Sequence, residues 1–184
     1  MSGPAPLTAA TPMAEVLAAY PGARRSLFRK YHIGGCSSCG FDPAETLGVL
    51  CSRNGNLPVA EVVAHIQASH ESDRQLEITP ADLAARRAAG EPIRLLDLRS
   101  REEWDAVRIE GAEFVDQALI QGLMGRAGQE GLIVFYDHLG QGSLDAAAYF
   151  AGHGFAQVRH LRGGLDAWSR DVDPALPRYR LEKA

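Results

Sequence analysis

The sequence predicts a small all-α module followed by an α/β domain, in which helices flank a mostly parallel sheet. Short helical patterns occur up to about residue 70, and strand and helix patterns alternate from about residue 78. The length of 184 residues suits one domain of average size plus a small module. The hydrophobic fraction of 46% and the charged fraction of 23% are typical of a folded protein.

Four short helices are predicted in the first half. The first follows Thr11 and Pro12, because threonine caps helices and proline suits their first turn. The second carries cations on its outer face, which we interpret as a solvated surface: Arg24, Arg25, Arg29 and Lys30. The third is predicted to start at Asp42 and Pro43, and the fourth to run from Pro58 to about Ser69.

The second half alternates apolar strand segments with helical ones. Strands are predicted at 93–97, 112–115, 132–136 and 158–161. Helices are predicted at 81–89, 100–106, 117–124, 144–153 and 165–169. The segment 132–136 is apolar throughout, as in a strand buried on both faces of a parallel sheet. Alternation of this kind favours a parallel sheet with helices on both faces.

These patterns divide the chain into five segments. We expect a disordered N-terminus (1–10), a helical CxxC module (11–70), a linker (71–77), an α/β domain (78–174) and a C-terminal tail (175–184).

Net charge and hydropathy exclude several classes of protein. A net charge of −4 argues against a nucleic-acid binder that depends on phosphate contacts. No apolar run approaches the roughly 18 residues of a membrane span, and the first residues do not resemble a signal peptide. We therefore expect a cytoplasmic protein with reduced thiols and with neither a nucleic-acid nor a membrane partner.

Three stretches of the second half carry a family likeness. They are LLDLRSREEW at 95–104, RIEGA at 108–112 and LRGGLDAW at 161–168. In this order and spacing they resemble the signatures of the rhodanese family. The resemblance implies a rhodanese-like fold and sulfurtransferase-like chemistry. It also implies a loop after the central strand, in which a cysteine holds sulfane sulfur as a persulfide above a bowl of backbone N–H groups.

The loop at that position departs from the family pattern. It consists of Asp137, His138, Leu139, Gly140, Gln141, Gly142 and Ser143. Asp137 stands where the family has its cysteine, and Gly142 stands where it has an arginine. A carboxylate cannot carry a transferable sulfane sulfur, and this half contains no cysteine. The resemblance therefore implies a degenerate active-site loop, inactive in sulfur transfer from thiosulfate to cyanide.

Three hypotheses for Asp137 remain open. Its carboxylate accepts the loop N–H groups and fills the anion site from within, or it simply caps the following helix. In the third hypothesis it forms an acid–base pair with His138.

The three cysteines all lie in the first half. Cys36 and Cys39 form a C-x2-C motif in a Gly/Ser loop, and Cys51 follows in the third predicted helix. With His32 they could bind zinc or an iron–sulfur cluster. Alternatively, Cys36 and Cys39 form a redox or sulfur-relay pair, or all three are structural thiols. The predicted helix start at Asp42 would favour a thiolate at Cys39.

The module around these cysteines also has a family likeness. Tyr20-Pro21, the segment 28–33, the cysteines, Thr46-Leu47 and the apolar helix at 59–66 carry it. They resemble small helical modules that accompany hybrid-cluster and iron–sulfur proteins.

Two functions follow from the sequence. The first is a role in sulfur or iron–sulfur metabolism, with Cys36 and Cys39 as the catalytic thiols and a sulfur donor or acceptor protein as partner. The second is a non-catalytic regulatory or interaction protein that binds a partner or small anion through the altered loop.

Overall fold

The structure, a computed structural model, describes residues 6–34, 40–125 and 131–179. The chain divides into two compact units, residues 1–74 and residues 75–184.

The first unit is built from four helices. They are α1 (Met13–Ala19), α2 (Ala23–Tyr31), α3 (Leu47–Arg53) and α4 (Val59–Arg74). Their apolar faces share one core, in which the fully buried side chains include Met13, Val16, Leu27, Leu47 and Leu50. Helices α1, α2 and α3 have only 7, 9 and 7 residues and are marginal alone, so this shared burial stabilises them.

Helix bounds in this unit differ from the prediction at two places. The third helix begins at Leu47, where the Thr46 side chain accepts the Val49 N–H. Asp42 instead caps a turn by accepting the Ala44 N–H at 2.8 Å. The start predicted at Asp42 is therefore wrong, and with it the argument that a helix begins directly after Cys39.

The fourth helix is longer than predicted. It continues to Arg74 and includes residues 71–74 of the predicted linker. Asp73 in this last turn is buried and forms an ion pair with Arg25 of α2. This tertiary contact holds a polar turn that has no apolar pattern of its own.

The second unit contains five strands and five helices within the described residues. The strands are β1 (Glu77–Ile78), β2 (Ile93–Asp97), β3 (Glu113–Phe114), β4 (Leu132–Tyr136) and β5 (Val158–Leu161). The helices are α5 (Pro80–Ala88), α6 (Arg101–Ala106), α7 (Gln117–Met124), α8 (Gly142–Gly152) and α9 (Gly164–Asp171).

The sheet confirms the predicted α/β class. Its strand order is β1-β5-β4-β2-β3, and every neighbouring pair is parallel. Side chains alternate between two cores, because successive strand residues point to opposite faces. Val134 and Tyr136 enter one core, while Ile133 and Phe135 enter the other. Strand β4 is central, so the loop that follows it leaves the middle of the carboxyl edge, where parallel sheets bind ligands.

Candidate functional site

The loop between β4 and α8 encloses the carboxylate of Asp137. One carboxylate oxygen, Oδ1, accepts the N–H of Gly140, and Oδ2 accepts the N–H of Gly142 at 2.6 Å and of Ser143 at 3.3 Å. The Ser143 hydroxyl donates to Oδ1 at 3.4 Å. Gly142 and Ser143 begin α8, so the same carboxylate fills the bowl of N–H groups and caps the helix.

Two glycines allow the backbone to approach this loop closely. Gly140 has φ +85°, and a Cβ there would lie 2.7 Å from the Gly163 nitrogen. Gly164 has φ +60°, and a Cβ there would lie 2.6 Å from the His138 carbonyl oxygen. The first turn of α9 holds the loop, since the Leu165 N–H donates to the Asp137 carbonyl at 2.8 Å. This close contact is the physical reason for the Gly-Gly pair in the sequence.

The other loop residues differ in exposure. Leu139 is an apolar side chain with 53% of its surface exposed. Gln141 and Gly142 are also exposed, whereas Ser143 is buried. A Cβ on Gly142 would lie 3.1 Å from Asp137 Oδ2, so the glycine leaves room for the carboxylate.

The His138 imidazole lies beneath a residue from the predicted C-terminal tail. Its ring is buried, and its centroid is 4.4 Å from that of Tyr179. Within the described part of the chain, His138 Nδ1 has no hydrogen-bond partner. Its ring forms no hydrogen bond with Asp137 there either, so the structure does not join the two as an acid–base pair. No sequence pattern links Tyr179 to this loop.

The Tyr179 hydroxyl connects the tail to α6 and to the end of β2. It donates to Glu103 at 2.6 Å and accepts from Arg99 at 2.8 Å. Burial and the bond to Glu103 raise the pKa of Tyr179 to about 12. Burial alone would raise the pKa of Glu103, but bonds from Tyr179 and from the Ser100 N–H outweigh it and lower that pKa.

A buried ion pair supports the carboxyl end of β2. Arg99 donates through Nε to Asp97 Oδ1 at 2.9 Å and through a terminal nitrogen to the Val107 carbonyl at 2.6 Å. Burial opposes the charge of Arg99, but its bonds to Asp97 and Tyr179 outweigh that effect and raise its pKa. The pair therefore has a structural role.

The predicted thiol and metal residues have three different outcomes. Cys36 and Cys39 lie outside the described residues. Cys51 is buried in the core of the first unit, and burial raises the pKa of its thiol. His32 is exposed and ends α2 in the left-handed conformation with φ 57°. Among the residues that the structure describes, no three His, Cys, Asp or Glu side chains cluster as metal ligands.

Over the described ranges, no helix is long and apolar enough to cross a bilayer.

Known proteins are similar to this chain in its second unit. Residues 79–171 match the family described as Rhodanese-like domain. The chain is 35% identical over 104 residues to the probable adenylyltransferase/sulfurtransferase MoeZ of Mycobacterium tuberculosis, a match that covers 55% of the chain and 26% of MoeZ. It is 30% identical over 104 residues to the thiosulfate sulfurtransferase GlpE of Pseudomonas aeruginosa, covering 56% of the chain and 92% of GlpE.

A solved structure matches the same part of the chain. The human single-domain sulfurtransferase TSTD1 is 26% identical, with a TM-score of 0.43, and the match covers 52% of this chain and 96% of TSTD1.

Proposed function

Because the chain belongs to the rhodanese-like family, we propose that it serves sulfur metabolism with a rhodanese-like unit that does not itself carry sulfur. The relatives MoeZ and GlpE are sulfurtransferases by name, and this supports the sulfur context. In this proposal Asp137 occupies the position of the family's sulfur-carrying cysteine. The proposed role of the second unit is therefore that of a scaffold, and the reactive sulfur belongs to the first unit.

The observation that carries this proposal is the position of the Asp137 carboxylate. Its two oxygens accept N–H groups of Gly140, Gly142 and Ser143. Those donors are therefore not free for an incoming thiosulfate. Two like charges about 4 Å apart also repel one another by about 1 kcal/mol in water, and by more in a partly buried loop. A thiosulfate anion meets both an occupied bowl and a negative charge.

The sequence leaves few candidates for a sulfur nucleophile. It contains three cysteines, Cys36, Cys39 and Cys51. The burial of Cys51 and the raised pKa of its thiol make it a poor nucleophile. We therefore assign the reactive thiols to Cys36 and Cys39.

The proposed step transfers one sulfur atom and leaves the electron count balanced. The thiolate of Cys36 or Cys39 attacks the outer sulfur of thiosulfate, forming a new S–S bond as sulfite leaves with the electron pair of the broken S–S bond. The product is a cysteine persulfide. Attack by the second thiol then forms a disulfide and releases hydrosulfide.

Mass spectrometry of the intact full chain tests this assignment. After incubation with thiosulfate, the unsubstituted protein should gain the mass of one sulfur atom or lose two hydrogens through disulfide formation. We expect Cys36→Ser and Cys39→Ser each to remove the disulfide, and their combination to remove both products. Cys51→Ala is the matched control and should leave both products unchanged.

A second function is favoured by one observation on the loop surface. Leu139 exposes 53% of an apolar side chain at the tip of a loop whose anion bowl is already filled. An interaction protein that docks a partner through this loop would use such a side chain. Absence of every thiol product in the mass experiment would overturn the sulfur assignment and favour this alternative.

A further inference from the structure

A groove between α2 and α4 of the first unit has no role in the function proposed above. Its volume is about 450 Å³, within the range of roughly 300–1,000 Å³ that is typical of small-molecule sites. Helix α2 contributes Arg25, Arg29 and Lys30 to its wall. Helix α4 contributes mainly small or polar side chains: His65, Ala68, Ser69, Ser72 and Asp73.

The charges of this groove are only partly compensated. Arg25 forms an ion pair with Asp73, the one carboxylate among the lining residues. Arg29 and Lys30 are exposed, and neither has an ion-pair partner among the described residues. Because both cations face one concave surface, the groove attracts negative charge.

Two contacts between α2 and α4 hold the walls of the groove in place. His65 of α4 reaches the Ser26 carbonyl oxygen of α2 through Nε2 at 3.0 Å. Together with the pair of Arg25 and Asp73, this contact sets the separation of the walls. The small side chains of α4 then leave open space beside Arg29.

We propose that this groove binds a small molecule that carries a phosphate or sulfate group. The planar guanidinium of Arg29 suits two oxygens of such a group, and the ammonium of Lys30 adds a second charge. The Ser69 hydroxyl lines the same groove and offers a further donor. Two cations and a hydroxyl match the charge of a dianion and several of its acceptor oxygens.

Calorimetric titration of the full chain tests the proposal with inorganic phosphate and, separately, with inorganic sulfate. Chloride keeps the ionic strength constant, so that general screening does not change. We expect saturable binding at one site for each probe. Arg29→Gln should weaken the affinity at least about fivefold, which corresponds to about 1 kcal/mol.

Arg24→Gln is the matched control for this variant. Arg24 lies on the same helix and carries the same charge, but its guanidinium stacks over the Phe41 ring, 4.5 Å from the centroid. The control should change the affinity less than twofold. Arg29→Lys, which keeps the charge but loses the planar fork, should weaken binding by an intermediate factor.

Two results would overturn the proposal: no saturable binding to the unsubstituted chain, or equal weakening by Arg24→Gln and Arg29→Gln. Circular dichroism and the thermal midpoint of each variant establish that it is folded. Neither probe contains sulfane sulfur, so the result does not depend on the thiol chemistry proposed for Cys36 and Cys39.

Discussion

The loop after β4 and the groove between α2 and α4 both direct donors toward negative charge, but they differ in what occupies those donors. In the loop, the carboxylate of Asp137 accepts the N–H groups of Gly140 and Gly142. In the groove, Arg29 and Lys30 have no ion-pair partner within the described part of the chain. Donor geometry alone therefore does not define a ligand site, because an intramolecular group can already fill it.

The two regions also differ in how an external anion would compete. Asp137 is tied to the loop by the chain, so it loses no translational freedom when it fills the bowl. A free anion loses that freedom and must also displace the carboxylate. In the groove a free anion displaces only water, so it binds to the groove in preference to the loop.

The largest loss of stability is expected from a substitution in the backbone that packs against the loop after β4. Gly164→Ala places a Cβ 2.6 Å from the His138 carbonyl oxygen at φ +60°, and we expect a loss of about 3 kcal/mol or more in unfolding free energy. Gly154→Ala is the control, with φ +90° and no neighbour within 4 Å, and should lose about 1–2 kcal/mol. Denaturant unfolding followed by fluorescence measures this, since Trp104 and Trp168 both lie in the second unit. Equal losses would show that the close approach is unimportant.

A second variant empties the bowl. Asp137→Ala leaves three backbone N–H groups without their acceptor, and we expect a loss of about 2–3 kcal/mol. Asp105→Ala, at an exposed position of α6, should change stability by less than about 0.5 kcal/mol. The denaturant midpoints of unfolding of the two variants, measured in a chloride buffer, compare their losses of stability.

The emptied bowl should also gain affinity for an external anion. Sulfate is expected to raise the thermal midpoint of Asp137→Ala more than that of the unsubstituted chain, in which only the groove responds. An equal rise in both proteins would mean that the bowl was not occupied by the carboxylate.

The smallest expected effect concerns the contact of the tail with the loop. Tyr179→Phe removes the hydroxyl between Glu103 and Arg99, and we expect a loss of about 1 kcal/mol at neutral pH. Tyr149→Phe, at a side chain that is 53% exposed, is the control and should be nearly neutral. Urea unfolding at pH 7 measures both variants.

The same variant has a defined pH dependence. The pKa of Glu103 is lowered in the folded chain, so its contribution is present above the ordinary glutamate pKa of about 4.3 and is lost as the pH falls through the lower, folded value. The difference between Tyr179→Phe and the unsubstituted chain should therefore shrink in acid. A difference that grows on acidification would contradict the role assigned to this bond.

The sequence predicts the strands better where burial, and not pairing alone, defines them. The bounds of β2, β4 and β5 agree with the prediction, because each strand buries apolar side chains in both cores of the second unit. Strand β1 was not predicted, since Glu77–Ile78 becomes a strand only through its pairing with β5. The last turn of α4 was missed for a similar reason, because the Arg25 to Asp73 pair stabilises it from another helix.

At the candidate site, too, the sequence could not predict the contacts that form between side chains and backbone. Family spacing places Asp137 in the loop after the central strand, but spacing alone could not decide between filling the bowl and capping α8. The structure shows that one carboxylate makes both sets of bonds. The contact of Tyr179 with His138 joins residues far apart in sequence, and no local pattern predicts such a contact.

The most direct measurement restores a sulfur nucleophile to the bowl in a chain without its native cysteines. Cys36→Ser, Cys39→Ser and Cys51→Ala together remove every native thiol, and the chain is then assayed for thiocyanate formation from thiosulfate and cyanide. We expect no thiocyanate from this variant, and measurable thiocyanate once Asp137→Cys and Gly142→Arg are added. Thiocyanate formation by the cysteine-free chain with Asp137 intact would contradict the claim that the rhodanese-like unit does not transfer sulfur.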